Sequence, residues 1–149
     1  MSAQQLVRNW MTTDVISVDP KVSIVEAHEM MRTYGVRRLP VVLRGRLLGI
    51  ITKGDVRGAK PSQATSLDIW EINYLLARLR VERVMTTALI TIAPDADVVE
   101  AAELMLNHKI SGLPVLDENQ QLVGIITETD IFRMLVMQRL QERNEVAIA

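Results

Sequence analysis

One phrase occurs twice in this chain. GIITKGDV at 49–56 returns as GIITETDI at 124–131, keeping Gly, Ile, Ile, Thr and Asp while the two residues between Thr and Asp change. The duplication extends well beyond the phrase. VRNWMTTDVISVDP (7–20) lies over VERVMTTALITIAP (81–94) and RRLPVV (37–42) over SGLPVL (111–116), both at the offset of 74 that carries Met11 onto Met85. One residue enters where LRGRL faces DENQQL, and Gly49 maps onto Gly124 at an offset of 75. Insertions settle in turns, so a register that slips only in a stretch of turn formers behaves as structure would. Two copies are too few for a solenoid, and each is too small to bury much surface alone. The sequence therefore predicts two similar halves that pack on each other.

Within each copy the hydrophobic period changes in a fixed order. VISV and LITI are short β-branched runs that end at Asp19-Pro20 and Ala93-Pro94 and read as strands. Ser23 with Glu26, and Asp97 with Glu100, have the spacing of a capping box and open helices. Val98, Ala101, Ala102 and Met105 recur on one helical face, and Ile24, Ala27 and Met31 follow it in the first copy. LPVVL and LLGIIT flank the Arg44-Gly45 turn, while LPVL and LVGIIT flank Asp117 to Gln121, so each pair reads as an antiparallel hairpin. Asp55 and Asp130 then precede helical sequence. The order is strand, helix, strand, strand, helix in each half, an α/β class with small mixed sheets flanked by helices. The expected division is 1–60 for the first repeat, 61–80 for a linker loop and helix, and 81–149 for the second repeat with a C-terminal helix.

The linker begins as a Lys/Pro/Ser/Gln/Thr loop and ends as a helix carrying Leu67, Trp70, Tyr74, Leu75 and Leu79. Trp70 and Tyr74 can pack against the sheet or a neighbouring subunit, or can offer a stacking platform for a base. The C-terminal segment places Ile131, Met134, Leu135, Met137 and Leu140 on a helix, a Met-rich face suited to a core or dimer contact.

Composition narrows the function classes. The formal charge of −1 mixes both signs, so no basic field points to nucleic acid. There is no Cys, which removes a disulfide framework, a thiolate zinc site and a cysteine nucleophile together. No signal-peptide pattern opens the sequence and no run of about eighteen apolar residues occurs, so the expectation is a cytoplasmic protein without a membrane span. There is no Ser/His/Asp constellation readable by spacing, no His cluster and no G-x-x-x-x-G-K loop. The expectation is a protein that is not an enzyme and needs no cofactor or metal.

Thr52 with Asp55, and Thr127 with Asp130, put one hydroxyl and one carboxylate at a strand end and helix start. An ionised carboxylate accepts only, which suits the two donors of a ribose diol, while the hydroxyl and nearby helix N–H groups suit a phosphate. The competing reading is that Asp55 and Asp130 are N-caps of the helices they precede. One residue can do both.

The ordered set MTT, I-[ST]-[VI]-x-P, EA, LPV and GIIT-x-x-D, found twice in register from about Val7 to about Leu135, resembles the cystathionine-β-synthase (CBS) domain pair, or Bateman module. The resemblance implies two βαββα units related by a pseudo-twofold axis, with two clefts between them, and a homodimer of such pairs. It also implies an adenosyl ligand, AMP, ADP, ATP, NAD or S-adenosylmethionine, held in those clefts. Carried over by position, the phosphate contacts would be Arg37, Arg38, His108 and Lys109, with Lys53 beside Thr52. The adenine slot would be Val15, Ile16, Leu39 and Pro40 in one copy, and Leu89, Ile90, Leu113 and Pro114 in the other. Each basic residue also reads as part of a solvated face, and each apolar one as core. Ala88 where the first copy has Asp14, and Gly112 where it has Arg38, break the symmetry of the two sites. Two functions follow from different classes: a regulatory sensor that passes a conformational change to a protein partner, or a ligand-free module that dimerises and docks onto an enzyme or transporter.

Overall fold

The computed structural model describes residues 5–62 and 65–148, with the side chain of Ile148 excepted, so Gln63 and Ala64 of the polar linker lie outside it. The chain forms two compact units that cut across the linear repeats. One joins the segment ending at Val15 to the chain from Ile90 onward, and the other runs from Ile16 to Leu89. No helix is long and apolar enough to cross a membrane among the described residues.

In the unit from Ile16 to Leu89, helix α1 (Ile24–Tyr34) starts where the Ser23 hydroxyl accepts the Glu26 N–H at 3.1 Å, the expected cap. It stops at Gly35, whose φ of 65° allows the left-handed turn that returns a hydrogen bond to Met31. Strands β1 (Arg38–Leu43) and β2 (Arg46–Thr52) pair antiparallel around Arg44 and Gly45. Both turn residues have positive φ, 53° and 81°, as a two-residue turn matched to strand twist requires. Helix α2 (Lys53–Ala59) follows directly, and helix α3 (Ile69–Arg78), capped by Asp68, closes the unit. Ile24, Ala27 and Met31 of α1 bury against Leu39, Val41 and Ile51 of the hairpin, which gives the helix its three-and-four spacing and the strands their alternation.

The other unit repeats this plan. A short helix α4 (Val98–His108) is capped by Asp97 through the Val99 N–H, one residue earlier than the Glu100 spacing suggests. Strands β3 (Gly112–Leu116) and β4 (Leu122–Thr127) pair antiparallel, and helix α5 (Glu128–Ile148) runs on from β4. A one-turn helix at Val7–Trp10 packs Val7 into this unit's core with Ile92, Val98, Met105, Leu113 and Ile126.

The runs read as first strands are extended but barely paired. Val18 makes a single parallel bridge to Val41, and Ile92 one to Val115. The residue that follows each bridge leads into the turn at Pro20 or Pro94, which ends the ladder before a second pair forms. The opposite edge of each hairpin is covered by the Met-Thr-Thr segment. Thr86 and Ile50 exchange two backbone hydrogen bonds at 2.8 and 2.9 Å, and Thr12 and Ile125 do the same at 2.8 and 2.9 Å. Each hairpin thus has one bridged extended neighbour on either edge, and only β1 with β2 and β3 with β4 form ladders.

That edge contact explains the invariant glycine of the repeated phrase. A Cβ at Gly49 would lie 2.6 Å from the Met85 sulfur and 2.9 Å from the Thr86 carbonyl oxygen; at Gly124 it would meet the Met11 sulfur at 2.6 Å and the Thr12 oxygen at 3.0 Å. A methionine tip can move, but the carbonyl is locked in the bridge. Gly58, within α2, has no atom within 4 Å of its ideal Cβ. Replacing Gly124 or Gly49 by Ala is therefore expected to lower stability by roughly 1–3 kcal/mol through overpacking. Gly58→Ala is expected to raise it by about 0.5–1 kcal/mol through helix propensity. Urea melts of the three variants measure both signs.

Candidate functional site

The end of β2 and the first turn of α2 form a corner around Thr52 and Asp55. The Thr52 side chain accepts the Asp55 N–H at 3.1 Å, and the Asp55 Oδ2 accepts the Thr52 N–H at 3.0 Å. This is a reciprocal capping box. The cap is therefore Thr52, and Asp55 sits three residues into the helix, which corrects the reading of Asp55 as the N-cap itself. Its carboxylate keeps capacity: the only further donor among the described residues is the Thr86 hydroxyl, 3.4 Å from each oxygen. One hydroxyl proton cannot serve both oxygens well at that length. Asp55 is half-buried, and no cationic side chain pairs with it among the described residues.

The matching corner at β4 and α5 has the same spacing and a different wiring. The Asp130 Oδ2 accepts the Thr127 N–H at 2.9 Å and the Thr127 hydroxyl at 3.2 Å, while Oδ1 accepts the Arg133 guanidinium at 2.9 Å. Asp130 is only 6% exposed, the one buried charged residue in the described core. The same Arg133 nitrogen donates to the Trp10 carbonyl at 3.0 Å, and the guanidinium carbon lies 5.9 Å from the centre of the Trp10 ring.

The remaining sequence candidates divide by place. Lys53 is exposed at the first position of α2, and Arg37 is exposed just before β1, its carbonyl accepting the Lys53 N–H. Arg38 opens β1 directly opposite Thr52, which puts both basic positions of the first copy beside the Asp55 corner. His108 ends α4 and Lys109 follows it as an exposed C-cap with φ of 54°, the place Gly35 takes in the other unit. Leu39 and Leu113 are wholly buried in their cores, so neither offers side-chain surface to a base. Pro40 and Pro114 are buried too, their carbonyls holding Val18 and Ile92. Ile16 and Ile90 pack partly exposed against those cores; Val15 and Leu89 are half-buried and end their segments where the chain passes from one unit to the other. Trp70 is 78% exposed and Tyr74, stacked by Arg78 at 4.3 Å, is also exposed; the residue α3 buries is Leu76.

Two residues of these corners, Thr86 and Arg133, and the edge residue Thr12 escaped the sequence reading. Thr86, Thr12 and Arg133 lie far along the chain from what they meet or sit on a helix face of no obvious period. The repeated MTT was the available signal for the threonines. Among the described residues, no three His, Asp or Glu side chains cluster as a metal site would need.

Residues 7–62 and 81–137 match the CBS domain family. The chain belongs to the CBS-domain family. An inosine-5'-monophosphate dehydrogenase of Korarchaeum cryptofilum is 35% identical over 119 residues, 80% of this chain and 22% of that protein. The CBS pair spans 22% to 46% of the first three curated relatives it matches. Among solved structures, the CBS domain pair of protein MJ0100, in complex with 5'-methylthioadenosine and S-adenosyl-L-methionine, superposes with a TM-score of 0.72 at 30% identity, covering 89% of this chain and 97% of that one. CBSX2 in complex with AMP superposes at 0.74 with 26% identity, covering 90% and 98%.

The different wiring of the two carboxylates has a stability consequence. Asp55→Ala removes a part-buried capping box and is expected to cost about 1 kcal/mol. Asp130→Ala leaves the part-buried Thr127 N–H without its acceptor and breaks the charge-assisted bond from Arg133, which keeps only the Trp10 carbonyl, and is expected to cost more, roughly 2–3 kcal/mol. Denaturant midpoints at constant slope compare the two.

Proposed function

We propose that this CBS-domain pair is a regulatory sensor for an adenosyl ligand, AMP, ADP, ATP, NAD or S-adenosylmethionine, that passes a conformational change to a protein partner. The observation that carries the reading is the Asp55 corner. A carboxylate fixed by its capping box, with acceptor capacity left and a loosely held Thr86 hydroxyl beside it, suits a ribose diol. Arg37, Arg38 and Lys53 stand at the same corner to meet phosphate or another anionic group. Relatives of the same fold bind such ligands: the MJ0100 pair holds methylthioadenosine and S-adenosylmethionine, and CBSX2 holds AMP. The role is binding and not catalysis, in a cytoplasmic setting.

Signalling on this reading is differential affinity. A ligand shifts a conformational equilibrium only by the difference in its binding to the two states. A thermal-shift series with the five ligands, run on wild type, Asp55→Ala and Asp130→Ala, tests it. One ligand is expected to raise the melting temperature by mass action, and Asp55→Ala to abolish that rise. No rise with any of them would turn the assignment to a ligand-free docking module.

We further propose a homodimer. Phe132, Leu135, Val136 and Met137 stand more than half exposed on α5, and Ile69, Trp70 and Tyr74 on α3, a density of large apolar side chains that a monomer seldom leaves in water. Light scattering is expected to give twice the chain mass, and Phe132→Glu with Leu135→Glu to return it to one.

A further inference from the structure

The two Thr-x-x-Asp corners share a spacing, but only one carboxylate is open. At the repeat offset of 75, Arg133 answers to Gly58, and at the offset of 74 Trp10 answers to Val84. The guanidinium that closes on Asp130 therefore has no counterpart at Asp55. In its place stands the Thr86 hydroxyl, at 3.4 Å, whereas Asp130 holds three donors at 2.9, 2.9 and 3.2 Å.

We infer that Arg133 is the residue that decides ligand occupancy: it satisfies Asp130 internally, so the chain takes one adenosyl ligand, at Asp55. The inference rests on the sensor reading above and deepens it. A carboxylate has about four acceptor positions. With three filled by the protein and its residue buried, Asp130 has little to offer a ribose diol unless the Arg133 bond breaks. That bond is charge-assisted and shielded on the Asp130 side, 8% exposed against 55% for Arg133. Arg133 also ties the end of the Val7–Trp10 helix through the Trp10 carbonyl, so releasing Asp130 loosens that attachment as well. The second corner thus spends its carboxylate on holding its own unit together, and the first keeps its carboxylate for ligand.

The exchange of residues at the two equivalent positions tests this. Gly58→Arg places a guanidinium three residues after Asp55, where the new Cβ meets no atom within 4 Å. Arg133→Ala opens Asp130 and keeps a good helix former. Wild type, these two variants, Asp55→Asn and Asp130→Asn are titrated by calorimetry with AMP and, separately, with S-adenosylmethionine, and circular dichroism checks that each is folded. Wild type is expected to bind one ligand per chain. Asp55→Asn should lose that event and Asp130→Asn should keep it. Gly58→Arg should weaken it roughly tenfold, about the worth of one charge-assisted bond. Arg133→Ala should add a second event and bring the ratio towards two. Two equal events in wild type, a ratio still at one in Arg133→Ala, or weaker binding in that variant would each overturn the inference, the last by making Arg133 a ligand contact. Should Arg133→Ala fail to fold, Gly58→Arg decides alone, and unchanged affinity in it overturns the inference. Absence of heat with both ligands in every protein would instead remove the sensor reading itself.

Discussion

The structure depends on a backbone contact that only glycine permits. In each unit a Met-Thr segment lies along the outer edge of a hairpin and exchanges two hydrogen bonds with it, Thr86 with Ile50 and Thr12 with Ile125. The Met side chain and the Thr carbonyl come so close to the strand that the residue beneath has no room for a Cβ, hence Gly49 and Gly124. A two-stranded hairpin alone is marginal in water, and an uncovered edge invites wrong pairing. Covering that edge makes the small sheet viable. It also decides how the chain is shared: the segment leading into each repeat belongs to the unit built on the other repeat's hairpin.

The Asp55 corner is seated on the same contact. The bridge at Ile50 carries the Thr86 hydroxyl to within 3.4 Å of the Asp55 carboxylate, and the capping box holds that carboxylate at the first turn of α2. Position is thus set by backbone, and the side chains need little freedom to present acceptors. At the other hairpin the segment is tied differently, through Arg133 to the Trp10 carbonyl and to Asp130. The repeat gives two corners of one spacing, and Arg133 and Trp10, standing where the other copy has Gly58 and Val84, wire them differently.

Relatives place this pair beside much longer enzymes as well as beside chains of its own size, such as the MJ0100 CBS pair. The same architecture can therefore serve several outputs, and the output lies in the surfaces, not in the fold. Here the apolar residues left on α5 and α3 are the surfaces with most to gain from cover.

Much of this was legible from the sequence because it is local. The hairpins followed from alternation around Arg44-Gly45 and Asp117–Gln121, the helix faces from Ile24, Ala27 and Met31, and the Thr/Asp corners from a spacing of three that any helix start brings together. The capping role was legible too, though it fell to Thr52 and not to Asp55. What only the tertiary structure decided joins distant residues. Thr86 meets Asp55 across 31 positions and Arg133 meets Trp10 across 123, contacts that no periodicity encodes. It also reduced the β-branched runs VISV and LITI to single bridges and left Trp70 in solvent while burying Leu76. Local hydrogen bonding and helix or strand period are properties of a few neighbouring residues, so the sequence determined the elements and the two carboxylate corners. Which carboxylate stays open depends on what the rest of the chain brings to it, and that is settled only when the chain has folded.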